Sequence, residues 1–64
     1  MTNDPDLMLL RPEKAAELLS VGRTTVYALM RSGALRSVRI GTLRRIPPTA
    51  LVEFVAHLEK EQAA

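Results

Sequence analysis

Ala15-Ala16-Glu17-Leu18-Leu19-Ser20-Val21-Gly22-Arg23-Thr24-Thr25-Val26-Tyr27, residues 15–27, is the stretch that decides the fold. Two helical patterns meet in it across the break Ser20-Val21-Gly22. Upstream, the pattern extends back to Pro12, which suits a first helical position because its missing N–H would be unbonded there anyway. Glu13 follows in the first turn and complements the helix dipole. In this helix, about residues 12–19, Ala15, Ala16, Leu18 and Leu19 make the apolar side, with Glu13, Lys14 and Glu17 mostly outside. Downstream, a second helix starts near Arg23 with Gly22 as a tolerable N-cap. Val26, Leu29 and Met30 fall at i, i+3 and i+4 and form one buried stripe. Arg23, Thr24, Tyr27, Ala28 and Arg31 occupy the remainder. Ser32-Gly33 ends the helix, the glycine supplying a left-handed residue after the last turn. Two helices this close must cross steeply. A small side chain at Ala16 lets the backbones approach, Ser20 fits the turn, and Val21 and Val26 plug the angle between them.

Further along, the apolar period changes. Leu35, Val38 and Ile40, then Gly41-Thr42, then Leu43 and Ile46, read as two short strands around a tight turn. Pro47-Pro48 stops the second strand and opens a third helix, about residues 49–60. Its expected buried face is Leu51, Phe54, Val55 and Leu58, with Val52 near the edge. Residues 1–6 are polar, acidic and interrupted by proline, and read as a disordered lead-in. Residues 61–64 read as a frayed end, which leaves one domain over 7–60. A chain of 64 residues supports only a small core. With no cysteine, neither disulfides nor a thiolate metal site can supplement it. No apolar run approaches the roughly 20 residues of a membrane span, and the expected location is the cytoplasm.

The net charge is only +2, but its placement is informative. Residues 1–20 balance at −2, residues 21–46 at +6 with no acid at all, and residues 47–64 at −2. The central cations are Arg23, Arg31, Arg36, Arg39, Arg44 and Arg45. Such segregation is the footprint of a polyanionic partner. Arginine also suits bidentate phosphate and guanine contacts. The inventory for catalysis is poor. His57, the single histidine, reads as a solvated residue beside Glu59 and Lys60. No spacing provides it with metal-ligand partners, there is no phosphate-cradling glycine loop, and Glu13 with Glu17 is an ordinary exposed i, i+4 pair. Tyr27 lacks the activating cluster a nucleophilic tyrosine requires. The expectation is a protein without catalysis or cofactor.

Ala15-Ala16-Glu17-Leu18-Leu19, Val21, Thr25-Val26-Tyr27, Arg31-Ser32-Gly33, Val38-Arg39-Ile40-Gly41 and Arg44-Arg45-Ile46-Pro47 together resemble the excisionase-type helix-turn-helix family, relatives of the MerR-type DNA-binding domain. The resemblance covers residues 9–55. It implies a small α+β, mostly helical winged helix-turn-helix of the kind found in phage and plasmid proteins that bind DNA and steer site-specific recombination, and in short transcriptional regulators. It further implies that the second helix enters the major groove while the hairpin acts as a wing on the backbone or minor groove. Two positions depart from the pattern. Arg11 stands where a serine or threonine cap is usual, and Gly22 replaces a serine cap.

On that footing the recognition-helix residues are Arg23, Thr24, Thr25, Tyr27, Ala28 and Arg31, and the wing residues are Arg36, Arg39, Thr42, Arg44 and Arg45. Arg23 and Thr24 open the helix where base edges are closest; Arg23 contacts either a base or a phosphate. Thr24 and Thr25 contact DNA or only cap and solvate the helix start. Tyr27 either donates to a phosphate or packs on the wing. Arg31 is read as a phosphate clamp. Neighbouring strand residues face opposite ways, so only one of Arg44 and Arg45 can point at DNA. If about five arginines meet phosphates, log K falls against log salt with a slope near −4 to −5. One such module buries roughly 600–1,000 Å², modest for tight specific binding. Several copies on adjacent sites, bending the DNA and working with an integrase, would fit. The rival readings are a small transcriptional regulator with the same fold and an adaptor for an acidic protein.

Overall fold

A computed structural model describes residues 8–63; the lead-in read at 1–6 lies outside them. Helix α1 spans Pro12–Leu19, α2 Arg23–Ser32 and α3 Pro48–Gln62, and the strands are β1 Val38–Ile40 and β2 Leu43–Arg45. This order of helix, helix, hairpin, helix is a winged helix-turn-helix, in the sequence order expected; the strands are shorter than the apolar pattern suggested, with Leu35 and Ile46 outside them and buried. The third helix runs through Glu61 and Gln62, two residues past the expected end. His57 Nε2 lies 3.1 Å from Glu61 Oε2 one turn on, and the last turn is built from good helix formers.

Turn chemistry fixes the ends. Pro12 occupies the start of α1, and Arg11 at its N-cap makes no side-chain cap bond. Gly22 and Pro47, the N-caps of α2 and α3, make none either. The end of α1 is better held. Val21 N–H donates to Ala16 O at 3.0 Å and Ser20 N–H to Glu17 O at 3.2 Å, the paired bonds of a Schellman turn. That turn places Ser20 in the left-handed region, φ 59° and ψ 42°, where a Cβ is disfavoured. Ser20→Gly is therefore expected to stabilise the domain by about 0.5–1 kcal/mol, readable as a Tm rise of roughly 3–6 °C. At the end of α2, Gly33 takes the left-handed position with φ 85°. The Ser32 hydroxyl donates to Leu29 O and accepts from Ala34 N–H.

In the antiparallel hairpin Val38 pairs with Arg45, Arg39 with Arg44 and Ile40 with Leu43. Gly41, at φ 62°, makes the turn. A further bridge joins Leu10 to Ile46 through reciprocal N–H···O bonds of 2.8 Å each. The chain entering α1 is thereby tied to the chain leaving the wing.

The core is Leu10, Ala15, Ala16, Val26, Leu35, Ile46, Ala50 and Leu51, with Leu19, Leu29, Met30 and Phe54 packed partly against it. Ala15 and Ala16 are buried where α1 crosses α2, as the small-residue argument requires. Several other apolar residues are not covered as expected. Leu18, Val21 and Val55 are exposed. Val26 fills the interhelical angle without Val21, and Leu18 and Val55 instead line a shallow apolar groove with Leu19, Leu51, Val52 and Ala56. A domain this small has more apolar residues than interior to place them in. Among the described residues no helix is long and apolar enough to cross a membrane.

Candidate nucleic-acid interface

The exposed side of α2 follows directly from its buried side. With Val26 fully enclosed, the helical period turns Arg23, Thr24, Tyr27, Ala28 and Arg31 outward together. These five line a single open groove. Thr25, expected among them, is exposed but does not line this groove. Arg31 stands in the last turn of α2, where a cation also complements the dipole.

The wing continues this surface. Arg44 lines a second hollow together with Tyr27, Met30 and Arg31, so a strand cation stands beside a helix cation across a short gap. The register puts the two adjacent strand arginines on opposite faces. Arg44 is opposite Arg39, so these two share one face of the ribbon and Arg45 shares the other with Val38. Arg44 is exposed and Arg45 half-buried. Arg44 NH1 donates to the Ser37 hydroxyl at 3.2 Å, Arg39 Nε to Gly41 O at 3.1 Å, and Arg45 NH1 to Arg44 O at 2.7 Å. Each of these bonds uses part of a guanidinium and leaves its other N–H groups available. Thr42 lines a third hollow with Arg11, Pro12, Glu13, Tyr27, Leu43, Arg44 and Arg45.

Arg36 is placed differently. Its NH2 donates to Glu53 Oε1 at 3.1 Å and Oε2 at 3.2 Å, with Nε at 3.3 Å from Oε1, and also to Thr49 Oγ1. It braces the wing root against α3, and it lines none of the hollows around α2 and the wing just described. A one-dimensional charge count could not separate it from its neighbours, because its partner lies 17 residues away. The same count missed Arg11, an exposed cation in a segment that is acidic on balance, which the fold brings to the wing hollow. Its standing at a cap position without capping chemistry was the one signal that it does something else.

Arg23 is held by an acid. Its Nε lies 3.2 Å from Glu13 Oε2, and its guanidinium carbon stands 5.7 Å from the centre of the Tyr27 ring, within cation–π range. His57 is exposed on α3, and among the described residues no three His, Asp or Glu side chains gather as a metal-holding group.

Residues 9–58 match the family model described as a helix-turn-helix domain. Over 54 residues, 84% of either chain, the protein is 41% identical to an excisionase of Streptomyces ambofaciens. The chain belongs to the excisionase-type helix-turn-helix family. Another relative of this excisionase-type chain is a probable excisionase of Saccharopolyspora erythraea, 52% identical over 60 residues, which are 94% of this chain and 61% of that one. An uncharacterized protein of Mycobacterium tuberculosis is 44% identical over 46 residues, 72% of this chain and 40% of its own length. The chain thus spans about three fifths of the Saccharopolyspora relative and two fifths of the mycobacterial one. No solved structure matches it. The resemblance read from the alanine pair, the Thr-Val-Tyr run and the wing arginines is borne out.

Proposed function

We propose that this protein binds double-stranded DNA and serves as an excisionase, without chemistry of its own. Helix α2 enters the major groove, and the hairpin lies along the flanking backbone or minor groove. The observation that carries the reading is the continuity of cation-bearing surface from Arg23, Tyr27 and Arg31 on α2 to Arg44 on the wing. Arg23 and Thr24, at the start of α2, meet base edges. Arg31, Arg44 and Arg39 clamp phosphates, which fix register without reading sequence. Tyr27 stands between Arg23 and Arg44 and contributes a hydroxyl to the same surface. Family membership and the two relatives named as excisionases support the assignment to recombination. In that role several copies bind side by side next to a recombination site, bend the DNA and direct an integrase toward excision. A single module of this size has a small footprint, and neighbouring copies supply the remaining affinity.

The test is footprinting on the DNA flanking the gene, with Arg23→Ala as control. Protection of a site beside an integrase attachment sequence is the expected outcome. Arg23→Ala is expected to weaken that specific complex by about 1–3 kcal/mol. A footprint confined to a promoter would replace excision by transcriptional control. Equal binding of wild type and Arg23→Ala would remove Arg23 from the interface.

A further inference from the structure

We propose that Glu13, a residue of the scaffold helix α1, sets the specificity of the interface by positioning Arg23; this rests on the DNA-binding reading above. An acid beside a surface meant for phosphates is costly, because it repels the ligand. It needs a compensating use. The geometry supplies one. Glu13 Oε2 lies 3.2 Å from Arg23 Nε, an ion pair at the inner edge of the guanidinium. The two terminal nitrogens, whose paired N–H groups match O6 and N7 of guanine, stay free. The Tyr27 ring lies 5.7 Å from the guanidinium carbon and confines it from a second direction. Its hydroxyl is 3.5 Å from the same Glu13 oxygen, long for a hydrogen bond but close enough to limit where the carboxylate goes. A long side chain at the first position of a helix would otherwise sample many rotamers. Here it is tethered from α1 and faced by a ring one turn along its own helix.

Stability does not account for the contact. Both partners are more than half exposed, Arg23 at 66% and Glu13 at 52%, and an exposed pair of this kind adds little to folding. A positioning role and a simple electrostatic role then make opposite demands on DNA. Removing the negative charge strengthens binding to any duplex, while releasing Arg23 weakens the preference for one sequence.

Selection from a randomised duplex pool with wild type, Glu13→Ala, Glu13→Gln and Arg23→Ala separates the two, followed by titration of the selected site and of heterologous duplex. Both Glu13 variants are expected to bind heterologous duplex about 5-fold more tightly at 0.15 M salt, the effect of one phosphate-scale charge. Glu13→Ala is expected to lose about 10-fold in the ratio of selected to heterologous affinity. Glu13→Gln, which keeps the side chain's reach beside Arg23 and Tyr27 but not its charge, should lose less than Glu13→Ala. The position relaxed in the Glu13→Ala selection should be the one relaxed by Arg23→Ala. Tm should stay within about 3 °C of wild type. An unchanged ratio in Glu13→Ala overturns the proposal, as does an equal fall on both duplexes, which would mark a structural role. A wild-type selection that enriches no motif would instead overturn the sequence-directed reading beneath it, a failure visible before any variant is compared.

Discussion

Replacing Ile46 by alanine is expected to leave the domain largely unfolded at 37 °C. Ile46 is fully enclosed and is one of the three largest side chains so buried, with Leu35 and Val26. Removing its outer atoms loses their transfer free energy and opens a cavity, together about 3–4 kcal/mol. A domain of this length has roughly 3–5 kcal/mol of stability in total when nothing staples it. With no cysteine in the chain, no disulfide offsets the loss. Circular dichroism through a urea titration measures the effect, and Ile46→Val provides the internal scale at about 1 kcal/mol. Both substitutions leave the backbone bonds between residues 10 and 46 in place, so the difference between them reports packing alone. A midpoint for Ile46→Ala close to that of wild type would mean that the enclosure is looser than the structure shows.

The second large effect concerns DNA. On the proposed reading, four cations on α2 and on the Arg39–Arg44 face of the hairpin meet phosphates or bases: Arg23, Arg31, Arg39 and Arg44. A slope of log K on log salt near −3.6 follows from about four contacts, slightly shallower than the sequence suggested, because Arg36 is committed to Glu53 and Thr49. The double variant Arg31→Ala/Arg44→Ala is expected to bring the slope to about −1.8 and to weaken binding on the order of 30-fold at 0.15 M salt. Arg36→Ala should leave the slope essentially unchanged. Fluorescence anisotropy on one duplex between about 0.05 and 0.2 M salt, the range in which counterion release is steep, reads all three. An Arg36→Ala slope as reduced as that of a single Arg44→Ala would show that DNA draws Arg36 away from Glu53.

The elements were legible because local chemistry marks them. Pro12, Gly33, Gly41 and Pro47-Pro48 each impose a backbone constraint on their own, so the ends of the helices and the hairpin turn follow from a few residues. The outward set on α2 was legible for the related reason that Val26, Leu29 and Met30 define the opposite side of the same helix. Coverage was less so. Leu18 and Val55 have the right residue type and spacing for a core, yet whether they are covered depends on how far the third helix reaches across α1. No local pattern encodes that distance. Pairing across the sequence was the least legible feature. Arg36 with Glu53 and Arg23 with Glu13 are contacts between segments that look like separate blocks of opposite charge when counted along the chain. The contrast between Arg44 and Arg45 lay in between: alternation put them on opposite faces, and only the fold shows that Arg44 is exposed beside Arg31 while Arg45 is half-buried.

The two hydrogen bonds between Leu10 and Ile46 bear on the cost of recognition. A wing on a free tether would have to be immobilised each time the protein met DNA, and that loss of freedom would be subtracted from every binding event. Stitching the approach to α1 onto the root of the hairpin moves this ordering into folding, where it is met once. On the proposed reading, the spacing between α2 and the hairpin is then set before any duplex arrives, and a site whose grooves do not match it is expected to deform or be refused.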